Sequence, residues 1–160
     1  DRFMFKLIIT YPNPKEEIAI ITRFCTEELP KIKKIISKSE LLEFQKLTEK
    51  VYVDPNIVNF IADLISATRS PMDYRLENIS QFISFGASPR ASLNLAQAGK
   101  AMALIHGRDY IKEEDIEKLI FDVLRHRITL SYEGIMAKET VGSILTAILN
   151  KIKPKVVMAR

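Results

Sequence analysis

Arg90 is the residue whose type and position bear most directly on chemistry. It follows Pro89 in the first turn of a helix that Ser88-Pro89 opens. A cation there faces the positive end of the helix macrodipole, which costs about 0.3–1 kcal/mol. Residues 89–107 contain no acidic side chain, and Leu93 and Asn94 stand three and four positions on, so the helix offers no compensation. A guanidinium beside free N-terminal amides is suited to meet an anion, phosphate above all. Pairing with a distant acid such as Asp73 or Glu77, or plain solvation, fits the same residues.

The other candidates carry less. Arg2 stands at the start of a predicted strand, where solvation is the default. Arg125-His126-Arg127 closes a helix that begins Glu113-Glu114-Asp115; cations suit a helix C-terminus, so this run reads as structural. Gly99-Lys100 is the only Gly-Lys pair and is not a phosphate-binding loop. That motif needs Gly five residues before its final Gly and Ser or Thr after the Lys, where Asn94 and Ala101 stand. No Asp-Glu pair follows a hydrophobic strand to hold Mg²⁺. The expectation is a chain without the nucleotide-binding half of a P-loop machine. His106 and His126 lie far apart with no His or Cys near either, which favours structural or surface roles over metal binding. Cys25, beside Phe24 in a predicted helix, reads as a small buried hydrophobe, and no clear base partner supports a cysteine hydrolase.

Bulk properties set the frame. The 160 residues are 47% hydrophobic, enough for one sizeable core or two small ones. A net charge of +4, with Lys and Arg interspersed among acids, argues weakly for nucleic-acid binding. A single cysteine excludes an internal disulfide framework and suits a reducing compartment. No run approaches the ~18 apolar residues of a membrane span. The opening Asp1-Arg2-Phe3, without Met, reads as a cut inside a longer protein.

The elements that must position these residues are mostly helices. Residues 2–11 alternate as a strand, with Phe3, Phe5, Leu7 and Ile9 on one side and Arg2, Met4, Lys6 and Ile8 on the other. No convincing partner strand follows, so this one is expected to be an orphan. Asn13-Pro14-Lys15-Glu16 caps a helix with an Ile18, Ile21, Phe24 stripe running to about 28. Residues 29–38 form a basic connector containing Pro30. Ser37 or Ser39 opens a helix to about 52, and Asp54-Pro55 opens another with Ile57, Phe60, Ile61, Leu64 and Ile65 on one face. Residues 69–86 read as irregular, with an extended piece over 79–84. The helix from Ser88-Pro89 to Ile105 is so rich in Ala, Leu and Met that most of it should be buried, and Gly107 ends it. The next carries Ile116, Leu119, Ile120, Val123 and Leu124. A last helix covers 132–152 with Val141, Ile144, Leu145, Ile148 and Leu149 in register, and 153–160 is a tail. The fold class is mainly α: a helical bundle preceded by an orphan strand and a helix.

Several stretches together resemble the MoxR-type AAA+ ATPases. Asp1-Arg2-Phe3, Tyr11-Pro12 and Glu16-Glu17 are similar to the segment that follows sensor 1 in that family. Gly86-Ala87-Ser88-Pro89-Arg90-Ala91 resembles its sensor 2 motif. Residues 101–110, then Asp115-Ile116 and Val123-Leu124-Arg125-His126-Arg127, resemble the rest of its helical lid. The match runs in order over residues 1–128, and nothing family-specific marks 136–155. The resemblance implies the end of the ATPase core over 1–28, a connector and helix over 29–53, the lid over 54–130, and a C-terminal helix and tail over 131–160. It implies that Arg90, with Ser88 and Pro89, is the sensor 2 element that reaches the γ-phosphate of ATP. It also implies that Arg2 is an arginine finger offered in trans to a neighbouring subunit. ATP and Mg²⁺ in a longer parent, a cytoplasmic homo-hexamer and a partner with a von Willebrand A domain are further implications. The chain alone should not hydrolyse ATP. The alternative from another class is a nucleotide-independent helical interaction module, with Lys31, Lys33, Lys34 and Lys38 meeting nucleic acid; those lysines sit among few aromatics, as in a solvated linker.

Overall fold

The computed structural model describes residues 2–26 and 31–152. Asp1, the end of the first helix near 28, the start of the connector at 29–30 and the tail over 153–160 lie outside the described residues. The chain forms two compact units, Asp1–Lys6 with Lys46–Arg160, and Leu7–Gln45.

The smaller unit holds helix α1 (Pro14–Thr26) and most of α2 (Lys38–Glu49). Local capping makes both. Asn13 Oδ1 accepts from the Lys15 and Glu16 amides at 3.0 Å each, and Glu16 Oε2 accepts from the Asn13 amide at 2.8 Å. Ser37 and Glu40 repeat the box at α2, with bonds of 2.6 and 3.2 Å. The hydrogen bonds from the Ser37 side chain and then its amide hold the Glu40 carboxyl below its ordinary value. The apolar faces stay open: Ile18, Ile21 and Phe24 are exposed, and α2 buries no residue. Cys25 is exposed as well, not the buried hydrophobe expected, because nothing among the described residues covers the α1 stripe.

The larger unit is a helical bundle. Asp54 caps α3 (Pro55–Arg69) by accepting from the Asn56 amide at 2.8 Å, and Pro55 sits at the first helical position. The five predicted apolar residues of α3 are all buried. They pack with α5 (Pro89–Ile105), α6 (Glu113–Leu124) and α8 (Val141–Ile152) around Leu64, Ile65, Leu95, Ile116, Ile120, Leu124, Ile144, Leu145 and Ile148. Each such side chain contributes about 1.5–3 kcal/mol of burial free energy. The seam between α5 and α6 is built from small residues: a Cβ at Gly99 would lie 2.9 Å from Ile116 Cδ1. The Gly99-Lys100 pair therefore has a packing role, and Lys100 Nζ donates to the Glu49 carbonyl at 2.9 Å.

Four expectations are corrected. Only one stripe of α5 is buried, through Ala91, Leu95, Ala98, Gly99 and Ala103, while Leu93 and Ile105 are exposed. The segment over 69–86 is more ordered than irregular: a 3-10 turn (Pro71–Tyr74), α4 (Glu77–Ser80) and strand β1 (Ile83–Phe85), so 79–80 are helical and only the end of the expected extended piece is a strand. Strand β1 pairs antiparallel with β2 (Thr129–Leu130), Ile83 opposite Leu130 and Phe85 opposite Thr129. The predicted helix over 132–152 is two, α7 (Tyr132–Met136) and α8, because Lys138 is left-handed (φ 58°) and Thr140 and Ser143 bond each other's amides at 3.0 Å to start a new helix. Lastly, residues 2–11, expected as an orphan strand, form no strand: without a pairing partner among the described residues their alternating pattern does not set up a ladder, and the only sheet among those residues is β1 with β2.

Candidate functional site

The site is built where α3 ends and α5 begins. Thr68 Oγ1 donates to the Ile65 carbonyl at 2.7 Å and accepts from the Ala87 amide at 2.9 Å, and Arg69 Nη1 donates to the Ala87 carbonyl at 2.9 Å. Ala87 is fully buried with both backbone groups held. Gly86 permits this approach: a Cβ there would lie 2.3 Å from the Thr68 carbonyl oxygen. The seat thus fixes Ser88, whose extended backbone (φ −75°, ψ 164°) opens α5 and whose side chain makes no capping bond. Pro89 and Arg90 follow, both exposed, in a first turn without acids. Ser88, Pro89 and Arg90 are brought together as expected, at the amide end of a 17-residue helix.

A second group is built around Arg127. Just past α6, Arg127 is only 7% exposed, and its Nη2 donates to the Phe3 carbonyl at 2.6 Å. His126 Nε2 shares that oxygen at 3.0 Å. Arg125 Nη1 reaches the Lys6 carbonyl and the Asp122 carboxylate, each at 3.1 Å, and the Lys6 amide donates to the Asp122 carbonyl at 2.8 Å. Arg2, exposed, is therefore one residue from a carbonyl gripped by two cationic or polar side chains. Burial, and then the charge of Arg90, push the Arg127 guanidinium below its ordinary pKa, so the two arginines lie within reach of each other's field. Sequence reasoning treats the 125–127 run as helix-end cations. Burial of Arg127 is tertiary, and the only signal in the sequence is three basic-type residues directly after an apolar stripe.

A third polar feature is separate from the site. Arg108 grips the buried Asp115 through two bonds of 2.7 and 2.8 Å, and the Lys112 amide adds one of 2.9 Å. Burial raises the Asp115 carboxyl pKa, but these bonds outweigh it and hold the group below its ordinary 3.8. The pair orients the first turn of α6 after the left-handed Gly107 (φ 68°), where the Arg108 amide closes α5 on the Ala103 carbonyl at 2.9 Å. His106 bonds the Met102 carbonyl at 2.8 Å within its own helix end.

The bundle is that of an AAA lid domain: residues 75–148 match the family described as the AAA lid domain. The chain is 36% identical over 152 residues to Chaperone MoxR1 of Mycobacterium tuberculosis, covering 95% of this chain and 40% of that protein. Protein MoxR of Paracoccus denitrificans is 30% identical over 84 residues, 50% of this chain and 25% of that protein. A crystal structure assigned as an ATPase from Cytophaga hutchinsonii superposes with a TM-score of 0.90 at 36% identity, over 94% of this chain and 46% of that one. The chain carries an AAA lid domain and is similar, over most of its length, to the lid-bearing part of proteins named MoxR and of an ATPase. It spans less than half the length of the relatives it matches.

Proposed function

We propose that this chain is the lid and sensor 2 region of an ATP-driven, chaperone-like machine, with Arg90 as the group that reads the γ-phosphate. Arg90 reaches from the lid to ATP bound by the nucleotide-binding portion of the same subunit, and Ser88 and Pro89 set its approach. The observation that carries this reading is the Gly86–Ala87 seat, which holds an exposed arginine in the first turn of α5, a turn without acidic residues. A guanidinium offers a planar fork of N–H donors that matches phosphoryl oxygens, and those donors stabilise charge that grows during phosphoryl transfer. An arginine mounted on the lid also links the state of the phosphate to rigid-body lid motion.

Arg2 is read as the arginine finger, given to the ATP of the next subunit in a homo-hexameric ring. ATP and Mg²⁺ belong to the full-length protein, and Arg90 and Arg2 suit the phosphates; among the described residues no group of three or more His, Cys, Asp or Glu side chains could hold a metal ion. Remodelling of a partner with a von Willebrand A domain, in the cytoplasm, completes the proposal; among the described residues no helix is long and apolar enough to cross a membrane. The division into core end (1–28), connector and helix (29–53), lid (54–130) and C-terminal helix and tail (131–160) is proposed on the same basis. No structural observation favours the nucleic-acid alternative at Lys31, Lys33, Lys34 and Lys38.

The test is ATP turnover in the full-length protein. Arg90→Ala should lower it about tenfold or more with the thermal unfolding midpoint unchanged. Turnover equal to wild type would remove the sensor role. Arg2→Ala should lose activity only in the assembled ring, and mixing it with a phosphate-loop variant should restore part of it.

A further inference from the structure

The proposed site uses Arg90, yet the hydrogen bonds that place its turn come from another helix. Thr68, in the last turn of α3, is 0% exposed, and a buried hydroxyl is kept when its donor and its acceptor capacity are both used. Its proton goes to the Ile65 carbonyl one turn back at 2.7 Å, an ordinary helical bond. An amide can only donate, so the Ala87 amide, 19 residues on in the chain, takes a lone pair of the same oxygen at 2.9 Å. Arg69, the next residue, donates from Nη1 to the Ala87 carbonyl at 2.9 Å. Two neighbouring residues of α3 thus hold the peptide groups on either side of one alanine, which fixes both of its torsions. The flanking positions have little slack either. Phe85 is paired with Thr129 in the sheet, and Gly86 lies so close to the Thr68 backbone that a Cβ would meet its carbonyl oxygen. Ser88 is restricted to extended backbone because a proline follows, and its φ of −75° and ψ of 164° conform. Pro89 has its φ set by its ring. From Phe85 to Pro89 each residue is held by pairing, contact, hydrogen bonds or ring geometry.

We propose that Thr68, with Arg69 beside it, is a positioning residue: the last turn of α3 grips the Ala87 backbone from both sides and sets where the first turn of α5 presents Arg90. The functional half rests on the proposed role of Arg90. A fully satisfied buried polar pair rigidifies the place it occupies, and here that place lies three residues before the arginine. A guanidinium serves a phosphoryl group when its donors arrive in register with the oxygens, and a displacement of about 1 Å can cost about 10²-fold in rate. Leu64 and Ile65 set α3 in the core, so the arginine takes its position from a deeply packed helix and not from the exposed start of its own. Movement of the bundle then reaches Arg90 without play.

The test is a mutant cycle read in the ATP turnover of the full-length protein. Thr68→Val keeps the shape and removes the hydroxyl; it should lower kcat about tenfold and leave the KM for ATP near wild type. Thr68→Ser, which keeps the hydroxyl, should recover most of that loss. In an Arg90→Ala background Thr68→Val should change nothing further, because it acts through the arginine. An equal fold loss in both backgrounds, or a Ser variant as slow as the Val variant, makes Thr68 merely structural and overturns the proposal. An Arg90→Ala protein with wild-type turnover refutes the Arg90 reading instead, and the functional half falls with it. The grip is decided separately, by amide hydrogen exchange at Ala87 measured on this 160-residue chain by NMR. Thr68→Val should speed it about tenfold, the worth of one hydrogen bond, while the Ile120 amide keeps its rate. An unchanged Ala87 rate, or Ala87 and Ile120 speeding together, overturns the grip. Should Thr68→Val not fold, Arg69→Met takes its place in the cycle: the side chain is exposed, and its loss removes the donor to the Ala87 carbonyl. That variant should lower kcat about threefold with Arg90 present and not in Arg90→Ala. No loss in either background, or an equal loss in both, overturns the proposal.

Discussion

Helices α1 and α6 begin with the same instructions and end in different circumstances. Each opens on an acidic first turn with a third-position acid bonding back to the residue before the helix, and each carries an apolar stripe. In α6 that stripe is the core: Ile116 and Ile120 are 0% exposed. In α1 it faces outward, with Ile18 at 64% and Phe24 at 62% exposed. Local signals decide that a helix forms, and its termini show them plainly. Burial decides what the helix contributes to stability, and that depends on neighbours the local sequence does not name.

The sharpest way to break this comparison is to truncate equivalent stripe residues. Ile120→Ala should cost about 2–5 kcal/mol in denaturant unfolding of this chain, from lost burial plus the cavity left behind. Ile18→Ala should stay within about 0.5 kcal/mol; an equal loss at both positions would abolish the distinction. Gly86→Ala comes next, at about 1–3 kcal/mol, because the added methyl meets the Thr68 backbone at 2.3 Å rather than a side chain able to turn away. The smallest effect is electrostatic. The Asp115 carboxyl binds a proton less readily folded than unfolded, so its contribution is present above pH 4 or so and is lost as pH falls through the depressed folded value. Asp115→Asn should flatten the acid limb of the melting temperature below about pH 4, removing at most ~1.4 kcal/mol per pH unit. A limb of unchanged slope would assign acid sensitivity to other carboxylates.

The comparison also sorts what the sequence makes legible. The stripes of α3, α6 and α8, the caps at Asn13, Ser37 and Asp54, and the stop at Gly107 all follow from periodicity and capping chemistry. The break between α7 and α8 was also written locally, in Thr140 and Ser143, but an apolar pattern in register across 132–152 conceals it. Of the candidate site, the Ser88-Pro89-Arg90 turn was legible because its oddity, a cation in a helix first turn that has no acid, is local. The Thr68 and Arg69 clamp on Ala87 and the burial of Arg127 were not. Both depend on residues far apart in sequence, which no window of neighbours contains.

One local device has a kinetic consequence. The reversal at Gly107, the Arg108 amide closing α5 on Ala103 and the Arg108 side chain gripping Asp115 all lie within thirteen residues, 103–115, so the α5–α6 hairpin specifies its own angle over a short loop. Contacts of short sequence separation cost little chain entropy to close, and they tend to be in place early. This pair of helices is therefore the expected nucleus: loosening Arg108 or Asp115 should slow refolding, whereas loosening Ile148 of α8, which must wait for the chain to return, should chiefly hasten unfolding.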